Sequence, residues 1–127
     1  MREILFRGKQ KDADVWLVGD LRQWSEHKKG ICDIVLKRTL EVDPETVGQF
    51  TGLYDKNGKK IFEGDIIKFQ INIKTVLTGK IIFACGAFQF ETTDPERERF
   101  TFDGEEVIML PENCEVIGNI YDDPHKR

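Results

Sequence analysis

Two tryptophans stand near three cations in the first quarter of the chain. Trp16 and Trp24 lie close to Arg22, Lys28 and Lys29. Indole rings stack on exposed bases and Lys or Arg heads track a phosphate backbone, so this set is a candidate face for single-stranded nucleic acid. The competing reading places Trp16 in a core and Trp24 at the end of a strand. A second group, Glu91, Asp94, Glu96 and Glu98, could crowd carboxylates for acid–base work. It sits beside Arg97 and Arg99 around Pro95, a composition that reads as a solvated loop. A third, Asp55-x-Asn57-Gly58, has the start of a calcium loop. The calcium version needs oxygen ligands at loop positions 1, 3 and 5, glycine at 6 and a bidentate Glu at 12. Here the fifth and sixth positions are Lys59 and Lys60 and the twelfth is Ile66, so cations would sit in the cation site. The turn reading remains.

Other chemistries lack their residues. No phosphate-binding G-x-x-x-x-G-K-[ST], dinucleotide G-x-G-x-x-G or nucleophile-elbow G-x-S-x-G pattern occurs. The cysteines, Cys32, Cys85 and Cys114, are odd in number, widely spaced and without a Cys-x-x-Cys pair. They read as free thiols packed as small hydrophobes. The only histidines are His27 and His125. No catalytic residue, cofactor or metal site is expected.

The chain has 127 residues and a net charge of −4, with 39% hydrophobic and 33% charged residues. It is long enough for one domain, or two small β-rich subdomains, with a real core. Residues 1–60 carry +2 and residues 61–127 carry −6, which argues against a general polyanion binder. No apolar run reaches the roughly 18 residues of a membrane span, and Met1–Arg7 lacks the form of a signal peptide. The expected location is the cytoplasm.

The elements that must position these residues are strands. In Ile67–Ile73 every odd residue is large and apolar and every even one polar, so one face is buried and the other wet. The expected buried set is Ile67, Phe69, Ile71 and, at the end, Ile73. Val15, Leu17, Gly19 and Leu21 alternate with Trp16 and Val18 in a second strand. Ile81-Ile82-Phe83 and Val107–Leu110 read as buried strands, and Val116–Tyr121 as the last strand. Asp55-Lys56-Asn57-Gly58 and Glu63-Gly64-Asp65 read as turns, with Gly58 and Gly64 at positive φ. Asp103-Gly104 reads as a hairpin turn. Asp43-Pro44-Glu45-Thr46 allows one helical turn, with Asp as cap and Pro at the first position. The composition changes there, which divides the chain into a β subdomain over 1–46 and a second over 47–127.

The stretch Thr51-Gly52-Leu53 to Asp55, then Asn57-Gly58, Ile61 and Glu63-Gly64-Asp65-Ile66 resembles the YopX family of bacteriophage and prophage proteins. The opening Met1-Arg2-Glu3-Ile4-x-Phe6-Arg7-Gly8 and the closing Glu115–Pro124 are similar to it as well. Residues 9–48 depart from the commoner family form. The resemblance implies a mainly β protein: an N-terminal β-meander packed with a C-terminal SH3-like small β-barrel, with at most short helical turns. It implies a phage or prophage setting and no activity, so no catalytic residue is carried over. The expected role is an accessory module, not an enzyme, binding an unknown protein partner or itself. Nucleic-acid binding through the Trp/Lys/Arg stretch is the weaker alternative, and no membrane contact is expected.

Overall fold

In the computed structural model, residues 4–84, 86–92, 100–101 and 111–122 are described. The described residues are mainly strand, in two antiparallel sheets, with short 3-10 turns at Pro44–Thr46 and Pro111–Asn113. The chain divides into two compact units, Met1–Gly52 and Leu53–Arg127.

The first unit is a meander. β1 (Phe6–Lys9), β2 (Trp16–Ser25), β3 (Lys28–Asp33) and β4 (Thr39–Val42) lie in the order β4-β3-β2-β1, and β5 (Gly48–Tyr54) pairs on the free side of β1. Alternation along β2 sends Leu17 inward and leaves Trp16 and Val18 half-buried on the other face. Leu17, Ile31 and Val42 form the buried centre, with Phe6, Leu21, Leu40 and Val47 packed around it. Val15, expected to share a strand face with Leu17, precedes the strand and is exposed.

An exposed β4 would offer a row of free backbone groups to other chains. The end of β1 covers part of it: Gln10 bridges Val42, Lys11 N–H donates to the Glu41 carbonyl at 3.2 Å, and Asp43 N–H to the Lys9 carbonyl at 2.9 Å. Asp43 then caps the 3-10 turn, its Oδ1 accepting from Glu45 N–H at 3.1 Å, where the sequence predicts one helical turn.

The second unit begins as β5 runs past Gly52 and turns into β6 (Lys60–Phe62), its neighbour in the first sheet. The other sheet holds β7 (Asp65–Asn72), β8 (Thr75–Ala84), β9 (Ala87–Thr92), β10 (Phe100–Thr101) and β11 (Cys114–Asn119), in the order β10-β9-β8-β7-β11. β10 and β11 are its two ends, and among the described residues they do not pair with each other. The resemblance implies a closed barrel here; the described strands form an open order.

Ile67 and Phe69 are buried, and Lys68, Gln70 and Asn72 are exposed, as the alternation predicts. Phe69 lies opposite Leu77 on one side and Cys114 on the other. Its ring meets Phe90 edge-on at 5.8 Å. Ile61, Ile81 and Phe88 complete this core, with Leu53 and Val116 against it.

Two further expectations are corrected. Ile73 is 92% exposed, because β7 ends at Asn72 and Ile73 belongs to the hairpin tip. There the Asn72 side chain accepts from the N–H groups of Lys74 and Thr75. Ile81-Ile82-Phe83 is not a fully buried run: Ile81 is buried, Ile82 half-buried and Phe83 exposed, resting edge-on against Phe88 at 5.0 Å. The Ile71 side chain, the Asp94–Arg99 loop, the Asp103-Gly104 turn, Val107–Leu110 and Cys85 lie outside the described residues.

Candidate functional site

Two acidic residues of the Thr51–Ile66 stretch, Asp55 and Asp65, are taken up by backbone. Asp55 is buried. Its Oδ1 accepts from Asn57 N–H at 2.8 Å and Lys59 N–H at 2.9 Å, and its Oδ2 from Val116 N–H at 2.9 Å. One carboxylate thus shapes the turn and ties it to β11, and Lys56 N–H adds a bond to the Cys114 carbonyl at 2.9 Å. Burial pushes the Asp55 carboxyl up, but the three N–H donors and Lys59 outweigh it and hold it below its ordinary value. Gly58 takes φ +79° and Gly64 +93°, a region other L-residues avoid. Gly64 N–H bonds the Ile81 carbonyl at 2.8 Å, and its own carbonyl accepts from Ile120 N–H at 2.9 Å. Asp65, also buried, accepts from Phe62 N–H at 2.7 Å. These residues fix the joints between strands.

Cys114 is packed in the core, and burial, with the Asp55 and Glu112 carboxylates adding, pushes its thiol up to about 12. It is a neutral space-filler near pH 7. Cys32 is half-buried and free.

The aromatic and basic set is only partly brought together. Trp16, Arg22 and Trp24 share the outer face of β2, but eight residues of strand separate the indoles, about 27 Å at ~3.4 Å per residue. Trp16 is half-buried beneath Arg7, whose guanidinium carbon lies 4.9 Å from the ring centre. Trp24 is 54% exposed and lies across Gly30, where a Cβ would come within 2.7 Å of the indole. Lys28 Nζ is 5.7 Å from the Trp24 ring centre. Lys29 pairs with Gln23 and is half-buried, on the inner side of the sheet. The outer face also carries the exposed Asp20. Arg22, Trp24 and Lys28 therefore form one small patch; Trp16 and Lys29 do not join it.

A feature without a motif signature lies in the turn between β3 and β4. Asp33 is buried beneath it, Oδ1 accepting from Val35 N–H at 2.8 Å and Leu36 N–H at 2.9 Å, and Oδ2 from Val18 N–H at 3.2 Å. The Leu36 N–H lowers this carboxyl most; burial opposes it, and Val18 and Val35 add to the lowering. Lys37 N–H bonds the Asp33 carbonyl at 2.7 Å, and Asp33 N–H the Arg38 carbonyl at 3.0 Å. The result is a fixed turn that holds three aliphatic side chains in water: Ile34 at 55%, Val35 at 81% and Leu36 at 52% exposure. Its signal in the sequence is an Asp, three aliphatics and two cations in a row. Without the Asp33 bonds, that run reads as more strand.

The family model described as YopX protein matches residues 5–126. The chain belongs to the YopX family. A comparison with curated proteins finds no match. In this YopX chain the stretch that carries the resemblance, Thr51–Ile66, is the turn system built on Asp55, Gly58, Gly64 and Asp65. No helix among the described residues is long and apolar enough to cross a membrane.

Proposed function

We propose that this YopX-family chain is a non-enzymatic accessory module of a phage or prophage, working in the host cytoplasm by binding another protein or itself. The observation that carries the reading is the fixed turn presenting Ile34, Val35 and Leu36 to solvent. Exposed aliphatic groups on a rigid turn cost little ordering entropy when they dock. The turn duties of Asp55 and Asp65 support a scaffold role for the matched stretch. The SH3-like reading of residues 47–127 rests on the Gly64-Asp65 turn opening the apolar strand β7. Affinity capture from host lysate, run with the wild type and with Val35→Asp, tests the proposal. Specific partners retained by the wild type support it, and their loss in Val35→Asp assigns them to this turn; no specific partner in either, with no self-association in sedimentation, overturns it.

A second reading, single-stranded nucleic-acid binding, is favoured by Trp24 with Lys28 over its ring and Arg22 two residues away. It ranks below the first because Asp20 shares that face and the chain is net −4. Salt-dependent affinity for a random oligonucleotide, lost in Trp24→Ala, would promote it.

A further inference from the structure

The turn after β3 changes chemistry halfway along. Ile34, Val35 and Leu36 are aliphatic, Lys37 and Arg38 are cations, and all five are exposed. Among the described residues neither cation makes an ion pair. The carboxylate beside them, that of Asp33, is buried beneath the turn and accepts three backbone N–H groups. Lys37 alone of the described non-glycine residues has a positive φ, +58°. Such a conformation persists where surrounding bonds over-determine it, and it is found disproportionately at recognition sites. The turn is thus an apolar tip with a basic collar whose cations make no ion pair among the described residues, held in place before any partner arrives.

Resting on the binding-module reading above, we infer that this turn docks onto an apolar segment flanked by carboxylates on an acidic protein. The aliphatic tip meets the apolar side chains, and Lys37 and Arg38 meet the carboxylates. The charges select this occupant. Two cations on a chain of net charge −4 give weak hold on an anionic lipid surface, where attachment takes a larger basic cluster or a second anchor. A symmetric second copy would bring the same cations against each other.

The test uses the full chain against immobilised short peptides that join Leu and Phe to acidic, basic or uncharged flanks. The expected result is retention of the acidic-flanked set, weakened by rising salt. Val35→Asp and the pair Lys37→Glu/Arg38→Glu should each reduce it about tenfold or more, with Val35→Ser as a milder variant and circular dichroism as the check on folding. Equal retention of basic-flanked peptides overturns the inference. Binding that survives both folded variants overturns the assignment of the tip and leaves the binding-module reading standing; retention of no peptide overturns the inference, while the binding-module reading stands or falls on capture from lysate. Val35-dependent binding to phosphatidylserine vesicles, or self-association in sedimentation lost in Val35→Asp, would replace the acidic protein with a membrane or a second copy.

Discussion

Asp33 and Asp55 solve the same local problem. A tight turn points several N–H groups inward, and a short carboxylate beneath them accepts them together. Each takes three. Removing an acceptor from buried donors costs the desolvation of those donors as well as the bonds. Asp55→Ala should therefore lower unfolding stability by about 3 kcal/mol in urea titration. Asn57→Ala, two residues away in the same motif, should stay within about 0.5 kcal/mol, because Asn57 contributes its backbone N–H to the Asp55 bond. Equal losses in the two variants would contradict the division of labour. At Cys114 the raised thiol, at about 12, predicts resistance to alkylation. Iodoacetamide at pH 8 should leave the Cys114 peptide unmodified until denaturant is added, as read by mass spectrometry. Rapid modification in the folded protein would show that the site is open.

Among the elements, β7 was the most legible from sequence, and its end the least. Period-2 alternation identifies the inner face at Ile67 and Phe69 because a register slip would put every large side chain in water. Phe69→Ala should cost about 3–5 kcal/mol, and Ile73→Ser less than about 0.5 kcal/mol, both from denaturant midpoints. A large loss at Ile73 would return it to the core. The alternation runs on unbroken to Ile73, so the pattern alone carries no stop; Asn72 supplies it by accepting from Lys74 and Thr75. Asp33 does the same after β3. In both places a side chain bonding its own backbone ends a strand whose hydrophobicity continues. That competition is decided by three-dimensional geometry, and it explains why Ile34–Leu36, the candidate surface, carries no motif signature in the sequence. The turns at Gly58 and Gly64 were legible because a positive φ narrows the choice of residue.

At the scale of the whole molecule, two populations of carboxylates should separate on acidification. The acids as a whole, more numerous in residues 61–127 than in residues 1–60, set the net charge and the isoelectric point near 5.2. Asp33 and Asp55 hold their protons more weakly than in the unfolded chain, since both sit below the ordinary value of 3.8. A carboxyl depressed by folding stabilises the native state fully above its unfolded value. That contribution drains away as the pH falls through the depressed one, because unfolding then takes up protons. Solubility should thus be lowest near pH 5, where net charge vanishes, while both carboxylates keep their contributions to stability. The loss assigned to these two groups should set in only as the pH falls below about 3.8. Urea midpoints from pH 7 to pH 2.5 resolve the two effects. Asp33→Asn/Asp55→Asn should be less stable at neutral pH and should flatten the acid limb of the curve. An acid limb as steep in the double variant as in the wild type would mean that other carboxylates carry the acid sensitivity.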